Sequence, residues 1–223
     1  MRLYNGTDWI EVQLTNPEAY QEIKTIWREH IPHTDKSSTT DLGRERETTL
    51  KINALTEEKR EKILTFLDNL DAISNDGGIT YYKAEYLGGD EITFFNTTWH
   101  IIRADLLLSA YKYSFAETEK TGDLALPNAG NARAIPTFEI TGEATTDPIT
   151  ISDGVRTLTI TKGILVTDIL KVSDYQLLLN SVEITEYMSG DYPQIPEEQT
   201  DFTLTITGIT DSKVTVKYRS TWR

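Results

Sequence analysis

The chain has 223 residues, of which 38% are hydrophobic and 26% charged, so it holds enough apolar material for a core and has the length of one large or two modest domains. Lys and Arg total 22 against 35 Asp and Glu, a net charge of −13 at pH 7, and so acidic a surface repels nucleic-acid phosphates. Cysteine is absent, which excludes disulfide frameworks, zinc fingers, iron–sulfur clusters and thiol nucleophiles.

Met1 to Asp8 show no apolar signal segment, and no stretch approaches 18 apolar residues, so a soluble product made in a cytoplasm is expected. Asn16, Pro17 and Glu18 read as N-cap, first-turn proline and acidic first turn. Ala19, Tyr20, Ile23, Ile26 and Trp27 then follow at helical spacing, predicting a helix over 17–29 that ends near Pro32. The polar stretch 33–46, with Lys36, Arg44 and Arg46, reads as a flexible surface loop, either merely mobile or able to order on meeting a neighbouring assembly, and strand follows at 47–53. Thr56 caps the clearest helix, predicted over 56–73, with Glu57 and Glu58 at its positive end and Ile63, Phe66, Leu67, Leu70 and Ile73 on one face. Strands are predicted at 79–86, 91–102 and 104–117. Gly77-Gly78 and Gly88-Gly89 read as hairpin turns beside them.

Gly, Pro and Asn cluster between Thr121 and Asn131, which predicts a linker over 121–136. Beyond it, short alternating runs at 137–141, 149–151, 157–161, 164–166, 181–187, 202–207 and 213–218 predict a β-sandwich or jelly roll. The expected organisation is mainly β with one or two helices, an α+β chain with a first domain over 1–120 and a sandwich over 137–223. The charge is shared, with 14 bases against 21 acids up to residue 120 and 8 against 14 beyond it, so neither half is a basic arm.

Residues with catalytic chemistry are few. His30 and His33 are three apart, but Pro32 ends the helix beside them and only His100 adds a third imidazole, so solvated or capping histidines are expected rather than a metal site. No nucleophile elbow, phosphate-binding loop, dinucleotide fingerprint or zinc-protease helix occurs, and nothing singles out a carboxylate pair among the 35 acids. No catalytic, cofactor-binding or metal-ligating residue is therefore assigned, no cofactor is expected, and the chain does not read as an enzyme. Tyr175, Tyr187, Tyr192 and Trp222 are candidates for stacking on sugar rings, with core or interface packing as the alternative.

Three segments carry a resemblance. Asn128-Ala129-Gly130-Asn131 through Pro136 to Ile140-Thr141-Gly142, then Ser189-Gly190-Asp191-Tyr192-Pro193, then the ending Val214 to Tyr218-Arg219 and Trp222 resemble segments of siphophage distal tail proteins. The turn usually written Pro-Gly-x-Asn in that family is here Pro196-Glu197-Glu198-Gln199-Thr200-Asp201. In the first half, a strand, the helix at 56–73 and Trp99 are compatible with that family's tail-tube-like domain.

The resemblance implies a tail-tube-like, ring-forming sandwich or barrel with a helix, followed by a galectin-like sandwich. It implies a virion protein, assembled in the host cytoplasm, that forms a homohexameric ring at the distal end of a long non-contractile tail. Its partners would be itself, the tail tube protein, the tail-tip hub and, in many relatives, receptor-binding proteins or fibres, with DNA passing through the lumen and no membrane contact. In such a ring Glu45, Glu47, Asp90 and Glu91 are candidates for an acidic lumen. The alternatives are a tail tube protein with an appended immunoglobulin-like domain and a carbohydrate-binding module for host adsorption.

Overall fold

The computed structural model describes residues 1–15, 24–26, 45–93, 99–174 and 176–222. Two units build separate cores, Met1–Phe115 and Ala116–Arg223. In the first, alternating apolar residues on the long strands, such as Leu50, Ile52 and Ala54 or Ile102, Ala104, Leu106 and Leu108, put one face inward. The strands are β1 (Arg2–Tyr4), β2 (Trp9–Glu11), β3 (Gln13–Leu14), β4 (Lys24–Ile26), β5 (Glu45–Ala54), β6 (Ala72–Ser74), β7 (Thr80–Thr93) and β8 (His100–Ser114). They form one antiparallel sheet in the order β2-β1-β6-β7-β8-β5-β3, with β4 also on β5. The helix α1 (Glu57–Asp68) packs Ile63, Phe66 and Leu67 on the inward face, against Leu3, Leu50, Ile52, Ile73, Ile102, Leu106 and Leu108.

Thr56 accepts a hydrogen bond from the Lys59 amide at 3.2 Å, the expected N-cap. The helix stops at Asp68, short of 73. Asn69 turns its side chain back onto the Thr65 carbonyl, and the Asp71 amide donates to Tyr4, starting β6 on β1. Ile73 is a core residue as expected, but on the strand β6 rather than on the helix. The helix expected over 17–29 falls mostly outside the described residues, and the three described ones, Lys24–Ile26, pair as a strand with Glu45–Glu47. Neighbouring β-branched Thr25 and Ile26 suit that ladder as well as a helix face.

The three strands expected over 79–117 are two long ones. Gly88-Gly89 makes no turn. Leu87 is an extra residue that shifts the β7–β8 register, Gly88 follows at φ 123°, and a Cβ on Gly89 would lie 1.8 Å from the Arg103 carbonyl oxygen. A second irregularity lies on β8. The Ser109 hydroxyl donates to the Tyr111 carbonyl and accepts from the Lys83 amide, holding the extra residues out of register.

The second unit is a sandwich of two antiparallel sheets. Its strands are β9 (Thr118–Thr121), β10 (Thr137–Thr141), β11 (Ile149–Ser152), β12 (Thr157–Ile160), β13 (Ile169–Ser173), β14 (Gln176–Leu179), β15 (Val182–Glu183), β16 (Met188–Gly190), β17 (Thr205–Thr207) and β18 (Val214–Tyr218). One sheet runs β15-β14-β13-β10-β18-β9 and the other β16-β12-β11-β17. Phe138, Ile140, Leu170, Val172, Val214 and Val216 of the first meet Ile149, Ile151, Leu158, Ile160 and Ile206 of the second. With α1 and three antiparallel sheets, the chain is the mainly β, α+β protein expected.

Residues 121–136 do not hang free as a linker. Leu124, Leu126 and Ala134 belong to the sandwich core, and Ala134 exchanges both backbone hydrogen bonds with Ile195. The strand expected at 164–166 is instead a turn: Asp168 accepts from the Leu165 amide at 2.8 Å, and Leu165 and Val166 are 66% and 59% exposed. The β13–β14 hairpin takes its place in the sheet. Residues 185–187 wind into a 3-10 turn rather than continuing β15.

Candidate functional site

The segments that carry the resemblance converge inside the second unit. Asn128 is fully buried. Its Nδ2 donates to the Ala132 carbonyl at 2.8 Å and the Pro196 carbonyl at 2.9 Å, and its Oδ1 accepts from the Gly130 amide at 3.0 Å. Its backbone exchanges two further bonds with Gln199, so the longer 196–201 turn is clamped to the 128–132 loop. Gly130 serves close approach rather than a left-handed turn: a Cβ there would lie 1.9 Å from the Thr221 carbonyl oxygen. Tyr192, buried against Phe138, donates to the Pro136 carbonyl at 2.7 Å, and burial holds its phenol well above the usual tyrosine range. Gly190 sits at φ 90° where a Cβ would meet the Thr157 carbonyl at 2.2 Å. Tyr218 donates to Pro127 at 2.7 Å. These residues lock strands and loops together, and their chemistry is structural.

Of the acidic candidates, Glu47 and Asp90 lie on the sheet face away from α1, where Asp90 and Asp105 each stand 3.6 Å from Arg103 and Thr49 donates to Asp105. Glu45 is on β5. Glu91 alternates to the other face and joins a half-buried ionic cluster. It accepts from Arg60 Nε at 2.5 Å and lies 2.7 Å from His100 Nδ1, while Glu57 accepts from Arg60 at 2.7 Å and lies 3.1 Å from His100 Nε2. The Arg60 hydrogen bond outweighs burial and, with His100, holds the Glu91 carboxyl below its ordinary range. Glu91 is therefore not a free lumen carboxylate. His100, expected as a solvated or capping residue, is buried inside this cluster. Its period-two position on an apolar strand was the available signal. His30 and His33 lie outside the described residues. Among the described residues no group of three or more His, Asp and Glu is placed to hold a metal ion.

Of the aromatic candidates for sugar stacking, Tyr192 is a core residue. Tyr187 is partly exposed with Lys162 Nζ 5.1 Å from its ring centroid, Trp222 is half-buried, and Tyr175 lies outside the described residues. The aromatic grouping that sequence reasoning missed is in the first unit. Trp9, Tyr4, Phe115, Tyr81 and Tyr113 form a run of ring contacts at 4.7–6.2 Å, with Lys83 over Tyr113. Tyr113 lies near the end of β8 and Phe115 just beyond it. Their partners come from β1, β2 and β7, which only the sheet order brings near.

No protein-family model matches the chain, and no curated protein does. Among solved structures it is similar to the Dit protein, gp 19.1, of phage SPP1, described as a paradigm of the hub adsorption apparatus in phages infecting Gram-positive bacteria. The two share 18% identity with a TM-score of 0.58, and the likeness covers 100% of this chain and 94% of that one. The chain thus has the fold of a phage Dit protein over its whole length.

Proposed function

We propose that this chain is a structural protein of a phage tail, forming a ring at the distal end of a long non-contractile tail that joins the tail tube to the tail-tip hub and host-attachment proteins. The observation that carries the reading is the reach of the likeness: one fold correspondence covers both units, from the helix-backed sheet to the sandwich. An inner wall that lets DNA pass should not bind phosphates, and a chain of net charge −13 meets that condition. The segments most like the family are occupied in holding the sandwich together, which suits a scaffold rather than a catalyst. A homohexameric ring, contacts with tube and hub, and docking of receptor-binding proteins or fibres belong to this proposal.

Gold-labelled antibodies against the chain, imaged on intact virions, test it. Label confined to the distal tail tip supports the ring. Label along the whole tail would make it a tube protein, and label absent from the tail would overturn the reading.

A further inference from the structure

We propose that Asn5 is a self-modifying site: its side-chain amide is displaced by the Gly6 nitrogen, and the β1–β2 turn supplies the donors that speed the step. Asn5-Gly6 is the one Asn-Gly pair in the sequence. It lies in the turn that closes β1 on β2, where Tyr4 pairs with Trp9 and the Asn5 amide donates to the Asp8 carbonyl at 3.2 Å. Gly6 is exposed at φ 85°, and among the described residues nothing lies within 4 Å of where its Cβ would stand, so its nitrogen is open to close approach. The Asn5 Oδ1 accepts from the Thr7 amide at 3.1 Å and from the Asp8 amide at 2.8 Å. Attack on Cγ turns that oxygen into an oxyanion, so two donors already aimed at it stabilise the tetrahedral intermediate more than the resting amide. Tyr4 fixes one of them. Its hydroxyl donates to the Gly6 carbonyl at 2.7 Å, and that carbonyl shares a rigid peptide plane with the Thr7 N–H.

The bond changes balance without oxidant or reductant. The Gly6 nitrogen bonds to Cγ, its proton passes through solvent to Nδ2, the Cγ–Nδ2 bond breaks and ammonia leaves. Water then adds to the cyclic imide and opens either C–N bond, giving aspartate at position 5 or an isoaspartyl link that carries the main chain through the side chain. Aspartate keeps an acceptor for the Thr7 and Asp8 amides and adds one negative charge to the turn. The isoaspartyl link inserts a methylene between β1 and β2, which breaks the register that holds the Tyr4 and Trp9 rings 4.7 Å apart. Asn180-Ser181 is the contrasting case. The Asn180 Oδ1 accepts from the Ile169 amide at 2.9 Å, but its Nδ2 donates to Asp168 at 2.8 Å, which retains the group that would have to leave.

The test incubates the full chain at mildly alkaline pH, folded and in urea, and follows position 5 by peptide mapping that resolves the asparagine, aspartyl and isoaspartyl forms. An unstructured chain ordinarily sets the upper rate for this reaction, so the turn's contribution is read as the folded rate over the unfolded one. The folded chain should convert Asn5 about tenfold faster, less than the hundredfold or more that a donor in an enclosed enzyme site supplies, because this turn is open to water. Tyr4→Phe, which releases the Gly6–Thr7 plane, should return most of that advantage, and Asn180 should stay intact while Asn5 is consumed. A folded rate at or below the unfolded one, a Tyr4→Phe rate equal to that of the unaltered chain, or Asn180 converting as fast as Asn5 would overturn the proposal. The comparison of folded with unfolded chain needs no variant, so it stands even if Tyr4→Phe does not fold.

Discussion

Asn128→Ala should destabilise the second unit selectively. The side chain is fully buried, donates to two carbonyls and accepts from one amide, so its removal deletes three hydrogen bonds at 2.8–3.0 Å and leaves those backbone groups without that partner. At about 0.5–1.5 kcal/mol net per bond, more where a buried group stays unpaired, the loss is about 2–4 kcal/mol. A unit of roughly 110 residues has about 5–15 kcal/mol in total, and the midpoint should fall by about 10–20 °C. Calorimetry of the full chain, fitted with two transitions, should show the sandwich melting earlier while the N-terminal transition stays in place. Asn128→Asp separates shape from donation: it has nearly the same volume but cannot donate, and places a charge where two carbonyls converge. It should cost at least as much as alanine. A loss below about 0.5 kcal/mol for Asn128→Ala, or a wild-type-like Asn128→Asp, would refute the reasoning.

Tyr192→Phe removes the hydroxyl that joins β10's approach at Pro136 to the 189–193 segment and should cost about 1–2 kcal/mol in urea unfolding. Because burial raises the Tyr192 phenol in the folded state, the unfolded chain releases that proton first as the pH climbs. Stability should therefore be level below about pH 10 and fall above it, more shallowly in the phenylalanine variant. Asp153 gives the opposite sign. Burial pushes its carboxyl up, but the amides of Arg156, Gln194 and Val155 pull it net down, so it stabilises the fold above the ordinary Asp range and that contribution is lost as the pH falls through the folded value. Asp153→Asn should flatten the acid limb of the melting curve. Gly89→Ala and Gly130→Ala drive a methyl into backbone and should yield misfolded or strongly destabilised protein. Gly154→Ala, with open space and φ 85°, should cost only about 1 kcal/mol by melting temperature.

The sandwich strands were legible where alternation was bounded by turn residues, as at Thr137–Thr141 and Val214–Tyr218. Reading failed where a side chain redirected the backbone. Asp168 capturing the Leu165 amide turns an apolar run outward, and no periodicity reports that. Gly88-Gly89 has the composition of a hairpin turn, yet the close approach of β8 keeps the chain straight through it. The Gly/Pro/Asn-rich stretch 121–136 looked like a linker because its burial comes from single bridges to residues 60 or more positions away, such as Ala134 with Ile195. Likewise Glu91, His100, Arg60 and Glu57 are separated by up to 43 positions, and only the β7–β8 register joins them. The motif Asn128-Ala129-Gly130 was visible, though its reason was not: the glycine is there for the Thr221 backbone, not for a tight turn.

The ring itself is tested most directly by the mass of the purified full chain in solution, from light scattering after size exclusion, with negative-stain images of the same fraction. Six copies of a 25.3 kDa chain give about 152 kDa, and the account predicts that mass together with closed rings that have an open centre. Polydisperse tubes, or a monomer that stays monomeric when mixed with the tail tube and hub proteins, would contradict it.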